Sequence, residues 1–543
     1  MSDADDSDSL SMPSIDLLSG RSWTLGIGLV VLLVAVAALG YYVRPWLHGV
    51  IFLIYTTPTL WVFAAALIVV GGYLGTRGNA AGSMQILTGL TVLLIVGFFV
   101  ASVSTGFYAA EDLSDQMMQE ATATDNLSET NPQQPRVVPF NVAANYASNT
   151  LDRPQYQAMG PDVTFVNDTP YWSFALAPDG FRNHFALQQR GTVLVDMTQQ
   201  NAEVRTIDDK MAAGIGTAWY NNYNWRVLKN GEYLANYEDP FMVPHENDSY
   251  IAVPYTKPEF NVRLTPIPTP YTVPKWGGVA LVAPNGSVSD LSPQEALDHP
   301  ILQDQKIYPF QLTKKKVEAT RYRNGIMNTL PVVGAHADEI EVAPTPGEGN
   351  DQPYLMPTQD GVKYVVAAEP YGNAQGLKEI WEVDGRTGEP AVYESPDGES
   401  LFGPRKAANY VRQAARTTDW NRFTPAEPLP TVVDGQLYWM VRVVPNDGTG
   451  ISYVAFVNAE SSNVREVSST PAISSFLAGE KSAGTAVGNA NQSGTDRSIG
   501  NNVSVIVERR NANGTVVSTM RIYENESVSI QPAAENGTDN ASG

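Results

Sequence analysis

Three long apolar stretches lie within the first 110 residues of this 543-residue chain, and they restrict its fold more than any other feature. The first, Trp23 to Val43, carries no charge and is long enough to cross the roughly 30 Å hydrocarbon core of a bilayer. The second, Val50 to Leu74, contains Pro58, where a kink is expected because proline removes a helical N–H. The third starts at Met84 and runs to Ala109. Tyr41-Tyr42 and Phe107-Tyr108 suit the aromatic belts at membrane–water boundaries. No ionisable residue falls inside the three runs, which favours an anchor over a transport path. Arg44, Pro45 and His48 are read as the connection between the first two helices, and Gly71-x-x-x-Gly75 as a close-packing face.

A cleaved signal peptide is the alternative for the first stretch, but its apolar run is long and an acidic leader precedes it. Arg21 and Arg77 on one side against Arg44 on the other place the N-terminus in the cytoplasm. Three crossings then put the large C-terminal part outside, in a multi-pass membrane protein whose first partner is the lipid bilayer.

The rest of the chain alternates short apolar runs with Gly, Pro and Asn, the pattern of β-rich modules with a few helices. The expected fold class is an α-helical anchor plus an α+β, β-rich multi-module ectodomain with duplicated helix–hairpin units. In order, we expect an acidic tail (1–22), three transmembrane helices (23–110), a stalk (111–135), a first module (136–210) and a central β-rich region (211–355). A second module (356–470), a flexible linker (471–500), a small β segment (501–532) and a disordered tail (533–543) complete it.

The duplication is read from two landmarks. Ala-Ala-Asn-Tyr ends at Tyr146 and again at Tyr410, and a Tyr-Trp pair follows each, at Tyr171 and Tyr438. The spacings, 25 and 28 residues, are nearly equal. Each unit reads as a short helix followed by paired strands, in which Trp172, Phe174 and Leu176, or Trp439, Val441 and Val443, alternate onto one face. Packing of both tryptophans beneath the helix is the expected role, with a ligand platform as the alternative. Between the units, two strands around Pro284-Asn-Gly286 should lead into a helix capped by Ser292, with Glu295 at capping-box spacing.

A third hairpin, Val362 to Pro390, closes on Val383-Asp384-Gly385-Arg386-Thr387-Gly388. This form resembles PepSY-like domains, and the resemblance implies an exported or membrane-tethered module that accompanies peptidases or envelope machinery. The other two units depart from the motif: Val195-Asp196-Met197-Thr198 lacks the glycine, and Val457-Asn458-Ala459 lacks both Asp and Gly.

Composition narrows the partners. Acidic residues number 57 against 35 basic, and only 12 of the latter are lysine, for a net charge of −22. Such a surface suits concentrated salt, where screening removes self-repulsion, and it argues against nucleic acid. Cysteine is absent, so disulfides and thiol chemistry are excluded. Ten Asn-x-Ser/Thr sequons occur, at Asn126, Asn167, Asn247, Asn285, Asn491, Asn502, Asn513, Asn525, Asn536 and Asn540, and the last six crowd the C-terminal 53 residues. They are the glycosylation candidates and agree with an exterior location.

No Gly-x-Ser-x-Gly elbow, His-Glu-x-x-His or phosphate loop is present, so no catalytic, cofactor-binding or metal residue is assigned. His336-Ala-Asp338-Glu339 and His245-Glu246-Asn247-Asp248 would serve a metal only if brought together. Asp384 is expected to cap its own turn. The sequence thus suggests a non-enzymatic, glycosylated surface protein, structural or adhesive, on a halophilic cell or virion envelope, binding other envelope or virion proteins or itself. The alternative is a PepSY-like regulatory module for an exported peptidase or secretion complex.

Overall fold

The computed structural model describes residues 20–75, 80–264, 268–346, 351–372, 376–395, 401–480, 485–489, 503–510 and 516–523. Three apolar helices open the described chain: α1 (Gly20–Thr56), α2 (Pro58–Gly75) and α3 (Ala80–Glu120). Segments Ile27–Thr56 and Thr88–Glu120 are long and apolar enough to cross a membrane, whereas Pro58–Tyr73 is shorter. Protein does not cover the apolar windows of the two long helices. Continuous apolar surface of that extent requires a non-aqueous neighbour.

The helix boundaries differ from expectation. Arg44, Pro45 and His48 do not connect two helices; α1 runs unbroken through them. The break falls at Thr57, which makes Pro58 the first residue of α2. There its missing N–H has no helical acceptor to lose, so no mid-helix kink forms. Pro45 is tolerated where α1 lies against the β-rich body: Pro45 is buried and Val43, Arg44, His48, Phe52 and Tyr55 are partly covered, while Trp46, Leu47, Val50, Leu53 and Ile54 remain exposed. From Tyr41 to Thr56 the helix therefore runs along the β-rich body with one face docked and one apolar face free. Helix α2 packs mainly on α3, with the Phe63 and Phe98 rings 5.2 Å apart.

Where a stalk was expected, α3 enters the body. Its last turns lie against the strand β9 (Thr269–Val282) and the helix α8 (Phe310–Ala319), and Leu113 and Met117 belong to the same core as Trp172 and Trp381. A two-residue strand, β1 (Thr122–Ala123), follows.

Next come α4 (Phe140–Asn149) and an antiparallel meander of β2 (Tyr156–Val166), β3 (Thr169–Pro178), β4 (Thr192–Asp196) and β5 (Val204–Ile207), with α5 (Phe181–Ala186) between β3 and β4. After α6 (Tyr223–Asn230), a second sheet holds β6 (Asn236–Tyr237), β7 (Phe241–His245), β8 (Asp248–Arg263), β9 (Thr269–Val282) and β10 (Val288–Leu291). Helices α7 (Pro293–Asp298) and α8 (Phe310–Ala319) lead to a mixed sheet of β11 (Ile340–Val342), β12 (Tyr354–Thr358), β13 (Gly361–Pro370), β14 (Glu379–Asp384) and β15 (Pro390–Glu394). Strand β1 joins that sheet parallel to β15.

The last large sheet follows α9 (Pro404–Ala414), with β16 (Phe423–Val433), β17 (Gln436–Pro445), β18 (Tyr453–Asn458), β19 (Asn463–Val467) and β20 (Thr485–Asn489) in sequential order. Helix α10 (Thr470–Leu477) falls between β19 and β20, within the expected linker. Ile473, Phe476 and Leu477 anchor it in the core, which is why a Ser- and Gly-rich stretch is ordered here. A separate hairpin, β21 (Val503–Arg510) with β22 (Val516–Tyr523), is described beyond it. The rest of the expected small β segment (501–532) and the tail after 532 lie outside the described residues.

Both Tyr-Trp segments occupy corresponding places. Each is the second strand of a meander that follows a helix, and each meander carries a bulge in its first strand, between Met159 and Asp162 or between Ala426 and Leu429. Trp172 Nε1 donates to Val138 O at 2.9 Å, and Trp439 Nε1 donates to Phe402 O at 2.7 Å. Both acceptors lie two residues before the first residue of the helix, Phe140 or Pro404. The Ser292–Glu295 capping box forms as its spacing requires, with Glu295 Oε2 accepting from Ser292 N at 2.9 Å.

Candidate functional site

The groups singled out in the sequence do not converge. His336 Nδ1 meets Glu339 Oε2 at 2.5 Å, Arg321 also pairs with Glu339, and Lys378 holds Asp338 at 2.5 Å. These carboxylates are thus committed to cations of their own neighbourhood. His245 packs edge-on to Tyr250, and His299 Nδ1 accepts from Ile301 N at 3.3 Å. Among the described residues no three His, Asp or Glu side chains are arranged to hold a metal ion. The gap lined by Leu127, Met356 and Leu437 measures about 10 Å³, room for a single water.

Asp384 serves its turn, its Oδ1 accepting from Arg386 N at 2.8 Å and Thr387 N at 2.9 Å. Arg386 then reaches across to donate to Leu297 O at 2.9 Å and to Leu302 O. The residues that carry the family resemblance therefore clamp the β14–β15 turn onto the α7 region. Glu238 works similarly at the start of α8, accepting from Gln311 N at 2.9 Å and Leu312 N at 3.2 Å. Burial nevertheless pushes its carboxyl up to about 7 from the ordinary 4.5. A proton held more tightly in the folded state stabilises it below the lower value, and that gain is lost as pH rises through the higher one. Thermal stability should therefore contain a component that falls between about pH 4.5 and 7, and Glu238→Gln should remove it; an unchanged profile in the variant would exclude this assignment.

What the fold does assemble is an apolar rim beside the anchor. Exposed large apolar side chains of the β-rich body fall in three groups: Phe181, Phe185, Trp219 and Tyr220; Phe260, Val262 and Leu264; and Met327, Val332 and Val333. Each group touches an anchor helix or sits beside a residue that does. Trp219 lies 6.5 Å from Trp46, Phe260 lies 5.1 Å from Tyr55, and Tyr322, ahead of the third group, lies 6.2 Å from Phe107. Trp219 is 57% exposed, packs edge-on against Phe185 at 5.7 Å and holds a φ of +53°, a costly backbone state for a bulky residue.

Polar contacts fix the rim to the anchor. Tyr271 Oη donates to Asp112 Oδ2 at 2.6 Å, Asn261 Nδ2 donates to the same oxygen at 3.0 Å, and Arg263 pairs with Glu111. At the α1 end, Tyr233 Oη donates to Arg44 O at 2.6 Å and His48 Nε2 contacts Ala235 O at 3.1 Å. Little in the local sequence marks this surface; folding alone brings Phe185 and Trp219 to Trp46, and Phe260 to Tyr55. Aromatic clusters such as Trp219 to Trp225 were its only signal.

Asn126, Asn167, Asn247 and Asn285 are exposed, the last three in hairpin turns, and the remaining six sequons lie outside the described residues. Comparison with protein-family models, with curated proteins and with solved structures yields no match for this chain.

Proposed function

We propose that this chain is a membrane-anchored surface protein with a structural or adhesive role, glycosylated on its exterior and belonging to a halophilic cell or virion envelope. The observation that carries the reading is the union of anchor and ectodomain. Helix α3 is continuous from Ala80 to Glu120 and delivers Leu113 and Met117 into the ectodomain core, so the two parts cannot swing independently. A rigid mount suits a load-bearing or lattice-forming protein better than a tethered sensor. The rim then rests on the outer leaflet, its aromatic tips at the depth where such rings are favoured.

In this reading the first half of α1, then α2, then α3 cross the bilayer, with the N-terminus in the cytoplasm. The two helix–meander units are copies of one ancestral unit, supported by their matching indole hydrogen bonds and bulges. The acidic, lysine-poor surface serves solubility in salt, and charged side chains serve ion pairs instead of catalysis. The test is crosslinking on intact cells in high salt, followed by purification in detergent and identification of attached chains. Copies of the chain itself, or other envelope or virion proteins, are expected. A stoichiometric exported peptidase or translocation subunit would overturn the structural role in favour of a PepSY-like regulatory module.

A further inference from the structure

Two cations meet where α1 leaves its first apolar stretch, in a protein otherwise poor in basic residues. Arg44 Nη2 donates to Lys229 O, and Lys229 Nζ donates to Tyr41 O. Both charges lie over one ring: Arg44 Cζ is 4.7 Å and Lys229 Nζ 4.1 Å from the Tyr41 centroid. Arg44 also stands 5.0 Å from the Tyr233 ring. Neither forms a salt bridge among the described residues, and the adjacent Glu232 is engaged by Lys257 at 2.9 Å. Arg44 Nε is buried with no hydrogen-bond partner. The Lys229 ammonium is held below its usual range, first by burial and then by the Arg44 charge. Two like charges brought together without a counter-charge are mutually unfavourable, and the carbonyls and rings that they meet supply no net negative charge.

Beside them opens a recess of about 160 Å³ lined by Trp46, Trp219, Asn222, Asn224, Trp225 and Leu228. Indole rings and carboxamides together match a glycerol ester region, part apolar and part hydrogen-bonding. Past the recess continues the free apolar face of α1, with Val50, Leu53 and Ile54 exposed, a surface for an acyl chain.

We propose that Arg44 and Lys229 form a binding site for the phosphate of an anionic phospholipid, with its glycerol region in the tryptophan recess and an acyl chain along α1. Basic side chains at a membrane surface attract anionic headgroups, and partly buried ones are screened less by salt than exposed ones. The inference rests on the membrane reading given above. It assigns a role to the strained Trp219 backbone, which holds the indole over the recess.

The full-length chain, purified in mild detergent, would be presented with equal phosphatidylglycerol and phosphatidylcholine, and retained lipid measured by native mass spectrometry. A preference of about tenfold for phosphatidylglycerol is expected, because the choline cation of phosphatidylcholine offsets its phosphate charge and is repelled by the two basic groups. Arg44→Gln and Lys229→Gln should each remove most of it, while Lys229→Arg and the distant Lys315→Gln should keep it. Unchanged thermal unfolding of the variants would show that loss of lipid is not loss of fold. Equal retention of both lipids by the unmodified chain, or a preference surviving both glutamine variants, overturns the site. Retention of inorganic phosphate with no phospholipid of either kind retained would overturn the lipid as its ligand and leave a free-phosphate site. Release of the chain from cell membranes by alkaline carbonate would instead sink the anchor reading itself.

Discussion

Replacing Glu427 with glutamine should destabilise the β-rich body by about 3–5 kcal/mol, because it leaves the buried Arg442 guanidinium without its carboxylate and removes a negative charge beside Arg136. Glu427 sits in the bulge of β16 with a φ of +38°, and its carboxylate is 2% exposed. Its Oε1 accepts from Phe140 N at 2.7 Å, which ties it to the start of α4. Its Oε2 accepts from Arg442 Nη2 at 2.8 Å and lies 3.9 Å from Arg136 Nη2. Both guanidinium side chains are wholly buried. Arg136 also donates to Leu355 O at 3.0 Å and faces the Trp172 ring at 5.2 Å. One carboxylate thus links the first unit, the mixed sheet and the last sheet.

Burial lowers the Arg442 pKa to about 10, so it remains charged at neutral pH and needs its partner. Glutamine keeps the shape and can still accept from Phe140 N, yet it supplies no negative charge. The expected fall in thermal midpoint for the full chain in detergent is roughly 10 °C. Combining Glu427→Leu with Arg136→Met and Arg442→Met should recover most of that loss, since an apolar replacement of all three removes the uncompensated charges. A cost below about 1 kcal/mol for Glu427→Gln would mean that water or another anion already neutralises the arginines.

That triad was not legible in the sequence. Arg136 and Arg442 stand among polar neighbours or in an alternating strand, where an arginine ordinarily points to solvent, and Glu427 is 291 residues from the first of them. Only the sheet register brings them together. Local signals fared better: the Ser292–Glu295 cap and the Asp384 turn depend on residues three apart or fewer, and both form as expected.

The anchor was readable as apolar composition, but its boundaries were not. Docking of α1 on α6 carries one helix through Pro45, and the short-range proline rule could not anticipate that contact. Helix α10 was hidden differently. Its core residues Ile473, Phe476 and Leu477 have helical spacing, but a Ser-, Gly- and Ala-rich flank outweighs them in any composition window. The rim and the cation pair required the tertiary fold, because each draws single residues from distant elements.

The two tryptophans of the meanders should each cost about 3–5 kcal/mol when reduced to alanine, and their responses should match. Trp439 is fully buried and Trp172 nearly so, one in each of the two main cores. Truncation leaves a large void and also abandons a buried carbonyl, Val138 O or Phe402 O, at the mouth of a helix. Phenylalanine separates these contributions. It retains most of the ring packing and loses the indole donor, so Trp172→Phe and Trp439→Phe should each cost about 1–3 kcal/mol, read from denaturant unfolding followed by the remaining tryptophan fluorescence. Equal costs at the two sites are what two copies of one ancestral unit require, because the same bond then secures the same helix to the same strand. Unequal costs, with Trp172 far more sensitive, would trace the difference to Arg136, which faces the Trp172 ring, and would count against equivalence of the units. If alanine were tolerated at either site for less than about 1 kcal/mol, the indole would not be a packing residue, and a ligand platform would become the better explanation for it.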